Sequence, residues 1–203
     1  MAKKDKDALR GEQGFNSYYE NVFGERWGTL KEALLKEAEP VPYCLDPSLR
    51  TYYLDSASIL AAFSLPLKGA EDILDLCAAP GGKTLVLASL MDEGAKLTSN
   101  ERSFERKMRL SKVCEEHIPQ KIQENLTITC SDGALWCKTK SECFDRILLD
   151  APCSSERHVL NDKKYLDMWS PARVKTLSIE QWALLSSAWR LLKKGGYLVY
   201  STC

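Results

Sequence analysis

The sequence predicts a doubly wound α/β domain with a mostly parallel sheet and helices on both faces. Residues 73–84 read Ile-Leu-Asp-Leu-Cys-Ala-Ala-Pro-Gly-Gly-Lys-Thr, a short apolar run followed by a turn of small residues that should open a helix. This is how such domains build their first cofactor loop. Further apolar runs follow at intervals, and each ends in polar residues. We therefore expect a ligand site at the carboxyl ends of the strands.

The sequence predicts that residues 1–67, before the sheet, form a helical extension. Its helices are expected over residues 15–23, 30–39 and 56–65. Thr29 and Glu32 stand in capping-box positions, and Asp55 is placed to cap the third helix. Lys68 and Gly69 mark the entry to the second predicted domain, residues 68–203, which carries the sheet.

In the second domain the sequence predicts five strands with helices between them. The first strand begins near residue 73, and the others cover residues 95–100, 126–130, 144–149 and 197–201. A helix over 83–93 should stop at Gly94. The polar residues expected to meet in one crevice at the strand ends are Asp75, Glu101, Asp132, Asp150, Cys153 and Cys203. Before the last strand, Trp182, Leu185, Trp189 and Leu192 recur at helical spacing, which predicts core packing against the sheet.

The loop at residues 77–84 does not match either common nucleotide motif. A P-loop requires a glycine at the position of Cys77, and Pro80 breaks the G-x-G-x-x-G pattern. The glycines still allow close approach of a ligand to the backbone, and the following helix N-terminus favours an anion. Glu101, about twenty residues past the turn, is placed to accept hydrogen bonds from ribose hydroxyls. These features suit a cofactor that carries a carboxylate and a ribose.

Composition restricts the class of protein further. The 203 residues contain 28 Lys+Arg and 28 Asp+Glu, so that the net charge is zero and nucleic-acid binding would require a local basic surface. No apolar run is long enough for a membrane span, and we expect no membrane partner. Eight cysteines at irregular spacing favour a reducing compartment. The separations of Cys130, Cys137 and Cys143 match no usual zinc-ligand pairs, so no metal is expected.

Three motifs, each at a predicted strand end, carry a family resemblance. They are Cys-Ala-Ala-Pro-Gly-Gly-Lys-Thr at 77–84, Asp-Ala-Pro-Cys at 150–153 and Tyr-Ser-Thr-Cys at 200–203. In this order they resemble the Sun (Nol/Nop/Sun) family of S-adenosylmethionine-dependent RNA cytosine-C5 methyltransferases. The resemblance runs from about residue 52 to 203 and includes Gln181 and the segment 191–196. Residues 52–58 and the pair Arg157-His158 resemble its short organelle-type and bacterial branch.

The resemblance implies a Rossmann-like methyltransferase fold, S-adenosyl-L-methionine as cofactor, and methylation of cytosine C5 in structured RNA, ribosomal or transfer. Asp132 resembles the family acid near the adenine amino group, and Arg106 a basic residue near the cofactor. The residues implied in cofactor binding are Cys77, Ala78, Ala79, Pro80, Gly81, Gly82, Lys83, Glu101, Arg106, Asp132 and Asp150. As ordinary alternatives, the acids at 101 and 132 would be turn or cap residues, and Arg106 a surface charge.

The implied catalytic residues are Cys203, Cys153, Asp150 and Lys83. As a thiolate, Cys203 would add to C6 of cytosine and make C5 nucleophilic. Cys153 would assist product release, whereas DNA cytosine-C5 enzymes use the Pro-Cys thiol as nucleophile, so the opposite assignment stays open. Asp150 would hydrogen-bond N3 and N4 of the base, with Lys83 holding that carboxylate or the base. A core cysteine, a turn cap and a solvated lysine are the corresponding structural alternatives.

The candidate RNA contacts lie between residues 154 and 175, where cations alternate with aromatic residues. The candidates are Arg157, His158, Lys163 and Lys164, with Tyr165 and Trp169 as stacking faces for an unpaired base. A solvated charged loop is the alternative interpretation, and Asp162 and Asp167 dilute the charge.

Family members continue through two further strands after the Thr-Cys motif, so the chain is expected to be a truncated form that lacks its C-terminal strands. The alternative function is a non-catalytic cofactor- or RNA-binding remnant, or an assembly partner. A helper protein is a further expected partner. The expected location is the cytoplasm, or an organellar matrix if the source is eukaryotic.

Overall fold

The structure is a computed structural model that describes residues 10–37 and 39–202. The helices are α1 Gly11–Phe23, α2 Arg26–Leu35, α3 Ser56–Phe63, α4 Gly82–Leu90, α5 Phe104–His117, α6 Gln120–Gln123, α7 Glu156–Asn161, α8 Lys163–Asp167 and α9 Pro171–Leu191. The strands are β1 Val41–Tyr43, β2 Tyr52–Leu54, β3 Asp72–Asp75, β4 Lys96–Glu101, β5 Leu126–Cys130, β6 Phe144–Asp150 and β7 Leu192–Ser201. A 3₁₀ helix covers Gly133–Lys138.

Among the described residues, the chain divides into two compact units. One contains residues 10–37 and 153–180, and the other contains residues 39–152 and 181–202. Residues 39–67, which the sequence assigned to the helical extension, are thus grouped with the sheet. The domain boundary at residue 67 stays a prediction.

The sheet unit contains five parallel strands in the order β5-β4-β3-β6-β7. Alternate residues of the central strands enter two cores, with Ile73 and Leu148 on one face and Leu74 and Ile147 on the other. All four side chains are fully buried, as expected for a parallel sheet covered on both faces. The predicted Rossmann-like α/β fold is confirmed. The sequence missed the antiparallel hairpin formed by β1 and β2.

The prediction for the helix before the last strand was right for Leu185 and Leu192, which are partly buried against the core, and wrong for the two tryptophans. Trp182 and Trp189 are 71% and 70% exposed, whereas Leu184, Ala188 and Leu191 pack in the core. The buried face thus combines leucines with small residues, which allow the helix to approach the sheet closely. Strand β7 also begins at Leu192, earlier than the predicted residue 197.

The other unit is built around an aromatic core of α1, α2 and the segment after residue 153. Phe15, Tyr19, Trp27 and Trp169 are buried in it, and their rings contact one another. Trp169 is 2% exposed, so the prediction that it offers a stacking face to RNA was wrong. The predicted cap at Thr29 was also wrong, because α2 begins three residues earlier at Arg26.

Candidate active site

Acidic residues lie at the carboxyl ends of adjacent parallel strands. Asp75, Glu101 and Asp150 are the last residues of β3, β4 and β6. Asp132 follows β5 and accepts a hydrogen bond from the Ala134 N–H at 3.0 Å, which caps the 3₁₀ helix. The parallel register brings these strand ends to one edge of the sheet, as the sequence predicted.

The loop between β3 and α4 is fixed by the neighbouring strand β4. The Ala78 N–H donates to the Asn100 carbonyl at 2.8 Å, and the Asn100 side chain donates to the Leu76 carbonyl at 3.1 Å. Gly81 has φ +120°, a conformation that L side chains rarely adopt. A Cβ on Gly82 would lie 2.3 Å from the Leu54 Cδ2 atom. Gly81 is therefore favoured by its backbone conformation, and a side chain at Gly82 would have to displace the Leu54 side chain.

Glu101 and Arg106 form an ion pair next to the loop between β3 and α4. Glu101 accepts a hydrogen bond from the Ser103 N–H at 2.9 Å and lies 3.4 Å from Arg106 Nη1. Arg106 also donates to the Ala79 carbonyl at 2.8 Å. Glu101 is 4% exposed, so that this pairing compensates a buried carboxylate. Arg106 thus connects the end of β4 to the cofactor loop.

Lys83 and Asp150 form an ion pair, with 2.7 Å between Nζ and Oδ2. Lys83 also donates to the Ser58 hydroxyl at 3.1 Å, and the Ser201 hydroxyl donates to Asp150 Oδ1 at 2.7 Å. Ser201 faces Asp150 because the two residues are register partners on β6 and β7. Sequence reasoning gave no role to Ser58 or Ser201. The register of neighbouring strands is the signal that would have indicated Ser201.

Asp75 is fully buried rather than facing the crevice. The Thr84 hydroxyl donates to its Oδ2 atom at 2.7 Å, and Oδ1 has no hydrogen-bond partner among the described residues. Burial raises the pKa of Asp75 to about 7. Burial, followed by the charge of Asp75, raises the pKa of the Cys77 thiol to about 12. Cys77 is therefore a neutral thiol near pH 7.

A cavity of about 210 Å³ lies beside the ion pair. Lys83 and Asp150 line one part of it, and Tyr52, Tyr53 and Ser58 line another. Residues 77–80 and Gly82 complete it from the loop. The cavity thus connects the loop to the residues predicted to hold the base.

The family described as 16S rRNA methyltransferase RsmB/F matches residues 62–203. The chain belongs to this family. The resemblance to Sun-family enzymes that the three motifs indicated is confirmed.

Named relatives of the RsmB/F family agree with this assignment. The 5-cytosine rRNA methyltransferase NSUN4 of Mus musculus is 39% identical over 163 residues, covering 76% of this chain and 42% of that protein. Ribosomal RNA small subunit methyltransferase F of Serratia proteamaculans is 36% identical over 186 residues, covering 81% and 38%. The chain thus spans about two fifths of the length of these relatives.

Solved structures support the fold. The structure of PH0851 has a TM-score of 0.78 at 23% identity and covers 95% of this chain and 53% of its own. NSun6 from Pyrococcus horikoshii with SFG has a TM-score of 0.60 at 25% identity and covers 75% and 38%. A methyltransferase homolog protein from Pyrococcus horikoshii has a TM-score of 0.69 at 22% identity and covers 100% and 78%.

The two cysteines of the RsmB/F motifs are placed differently by the structure. Cys153 is half-buried and belongs to the unit with the aromatic core, where its Sγ atom lies 3.5 Å from the Ser155 hydroxyl. Nearby, Glu156 accepts hydrogen bonds from the hydroxyls of Tyr19 and Ser154. Burial and then the Glu156 contact raise the pKa of Tyr19. Cys203 lies outside the described residues, so its predicted role stays a prediction.

The candidate RNA contacts of this chain differ from one another in exposure and in hydrogen-bond partners. Arg157 donates to the carbonyls of Leu34 and Lys36 at 3.1 and 2.9 Å, at the end of α2. This gives the guanidinium a structural partner that the sequence did not indicate. Lys163 and Lys164 are exposed at the start of α8, and the His158 ring packs on Tyr165 with 4.8 Å between centroids.

The part of the chain that the structure describes contains neither a membrane-spanning helix nor a metal site. Within residues 10–37 and 39–202, no helix is long and apolar enough to cross a membrane. In the same part of the chain, no group of His, Cys, Asp or Glu is arranged to hold a metal ion.

Proposed function

We propose that the protein containing this chain transfers a methyl group from S-adenosyl-L-methionine to cytosine C5 in structured RNA. The observation that carries the proposal is the Lys83–Asp150 ion pair of 2.7 Å at the carboxyl end of β6, within the Asp-Ala-Pro-Cys motif. NSUN4 and ribosomal RNA methyltransferase F are named for rRNA, and a relative in Danio rerio is named tRNA (cytosine(34)-C(5))-methyltransferase, mitochondrial. Ribosomal or transfer RNA is therefore the proposed substrate class.

The residues present fit the cofactor. The N-terminus of α4 favours its carboxylate, the Glu101 carboxylate suits the ribose hydroxyls, and Asp132 suits the adenine amino group. The unpartnered Oδ1 of Asp75 adds negative charge under the loop when that carboxyl is ionised, which suits a cationic ligand. When bound, S-adenosyl-L-methionine supplies an electrophilic methyl group. Arg106 would act by holding Glu101 and the Ala79 carbonyl in place.

The covalent route assigns one task to each catalytic residue. The Cys203 thiolate forms a bond to C6, and the displaced electron pair moves toward N3, where a proton hydrogen-bonded to Asp150 neutralises it. C5 would then take the methyl group as the bond between that methyl and the cofactor sulfur breaks, which would leave the demethylated cofactor as a neutral thioether. Loss of the C5 proton to a base, cleavage of the bond between sulfur and C6, and release of the N3 proton would restore the aromatic ring and the Cys203 thiolate. Cys153 assists this last step, and Lys83 holds the Asp150 carboxylate throughout.

RNA contact is proposed at Lys163 and Lys164, whose side chains are exposed, with His158 as a further candidate. Arg157, the remaining candidate from the sequence, is expected to hold the end of α2 instead. A helper protein remains a further part of the proposal. We place the protein in the cytoplasm or an organellar matrix. Free thiols at every cysteine of the described residues support a reducing compartment.

Covalent capture of RNA tests the proposal. The natural full-length protein is incubated with cofactor and RNA, and adducts are separated on a denaturing gel. Cys203→Ala should abolish the adduct because it removes the attacking sulfur. Cys153→Ala should let the adduct accumulate because release is slowed. Cys44→Ala, at an exposed cysteine in a loop between β1 and β2, is the matched control and should behave like the parent.

Other outcomes are informative. Adduct retained by Cys203→Ala and lost in Cys153→Ala would invert the two assignments. A protein that binds cofactor and RNA but neither forms an adduct nor methylates cytosine would contradict the enzyme proposal and favour a non-catalytic binding protein.

A further inference from the structure

Gln181, on α9, contacts the residues that precede both motif cysteines. Its side-chain N–H groups donate to the Pro152 carbonyl at 2.7 Å and to the Thr202 hydroxyl at 3.0 Å. Its carbonyl oxygen accepts a hydrogen bond from the Tyr200 hydroxyl at 3.1 Å. One side chain of α9 thus binds the segment that follows β6 and the end of β7.

The chemistry of the partners fixes the orientation of this amide. The Pro152 carbonyl can only accept, so the amide nitrogen must face it. The oxygen is then left for Tyr200, which donates. Glutamate at this position would lose both donors while keeping the shape of the side chain. Gln181 therefore holds the Pro152 carbonyl by a hydrogen bond that its closest isostere cannot make, whereas the Thr202 hydroxyl could reverse and donate to a glutamate.

The location of Gln181 separates this role from helix packing. The core side chains of α9 begin one turn later, at Leu184, which is 4% exposed. Gln181 itself is half-buried. It contacts Pro152 and Thr202, which directly precede the two motif cysteines in sequence.

We infer that Gln181 is a positioning residue that sets the spacing between the Cys153 and Cys203 thiols. The inference rests on the proposed function, in which both sulfurs act on one base. Pro152 and Thr202 are each bonded covalently to one of these cysteines, so fixing both neighbours restricts the backbone that carries both sulfurs. Gln181 touches neither substrate nor cofactor in this role.

The first experiment measures thiol spacing without requiring activity. The full-length protein is treated with dibromobimane, which joins only two nearby thiols, and the peptides containing Cys153 and Cys203 are analysed by mass spectrometry. The parent should form this cross-link, and Gln181→Glu should form several-fold less. Gln123→Glu is the matched control, because that amide also donates to a backbone carbonyl, of Ile118 at 2.7 Å, far from the motifs in sequence. It should cross-link like the parent.

The second experiment measures single-turnover methylation with cofactor affinity. Gln181→Glu should slow methyl transfer about tenfold or more, because the Pro152 carbonyl loses its donor and faces a carboxylate oxygen instead, while the Kd for S-adenosylmethionine changes by about twofold at most. Thr202→Val removes one acceptor and should have an intermediate effect. Thr202→Ser keeps the hydroxyl and should restore the parental rate.

Several results would overturn the inference. They are a parent without the cross-link, a Gln181→Glu protein that cross-links and reacts like the parent, or equal losses in rate, cofactor affinity and melting temperature. If the parent forms the cross-link but never methylates RNA, the proposed function fails. The cross-link yield of Gln181→Glu then still decides whether this residue sets the spacing.

Discussion

At the scale of single residues, Asp75 is a carboxyl whose position makes stability depend on pH. It is fully buried, and burial raises its pKa to about 7. In an unfolded chain the same carboxyl ionises near pH 4. Between these pH values the folded protein binds a proton that the unfolded chain has released, so that stability falls as the pH rises.

Asp75→Asn should remove this pH dependence. The Thr84 hydroxyl can still donate to the amide oxygen, so the hydrogen bond at Oδ2 has a substitute. Urea unfolding between pH 4.5 and 6.5 should show the parent losing stability relative to the variant by about 1.4 kcal/mol per pH unit. Asp167→Asn, which removes an exposed carboxylate, should follow the parent. Parallel curves for Asp75→Asn and the parent would contradict a raised pKa.

The sequence predicted which residues end the strands but not their hydrogen-bond partners. Asp75, Glu101 and Asp150 were expected at the ends of predicted strands, and each is the last residue of its strand. That Asp75 turns into the core toward Thr84 depends on how α4 packs on the sheet. The partnership of Ser201 with Asp150 depends on the register between β6 and β7. Neither the packing of α4 nor the register of β6 and β7 can be predicted from local sequence.

At the scale of elements, α9 shows where periodicity is insufficient. Its residues allow two apolar faces, and the sequence favoured the one with the larger side chains. The structure buries Leu184, Ala188 and Leu191 and leaves Trp182 and Trp189 exposed. A small residue on the buried face permits close approach between helix and sheet, a distance that a hydrophobic count does not measure.

Alanine substitutions distinguish the two faces of α9. Leu191→Ala should lower the free energy of unfolding by about 2–5 kcal/mol, because Leu191 is fully buried. Trp189→Ala should change it by about 0.5 kcal/mol or less, because the larger side chain is 70% exposed. Both values come from urea titration of the full-length protein. The reverse order would show that the tryptophan face is covered in solution.

At the scale of the whole molecule, equal numbers of acidic and basic residues restrict how RNA is held. With 28 Lys+Arg and 28 Asp+Glu, no overall field attracts a polyanion. Affinity must come from cations that meet phosphates locally. The sequence located candidates between 154 and 175, yet Arg157 is engaged with the Leu34 and Lys36 carbonyls and Trp169 is buried. These long-range contacts could not be predicted from the segment itself.

The salt dependence of RNA binding tests this division of roles. Lys163→Ala and Lys164→Ala each remove an exposed cation, so each should lower the slope of log affinity against log salt by about 0.7–0.9 if it meets a phosphate. Arg157→Ala should leave the slope unchanged and lower the melting temperature, because its guanidinium donates to the end of α2. Filter binding at several salt concentrations gives the slopes, and calorimetry gives the melting temperatures. Unchanged slopes for both lysine variants would place the RNA surface elsewhere, and a reduced slope with normal stability for Arg157→Ala would make that arginine an RNA contact.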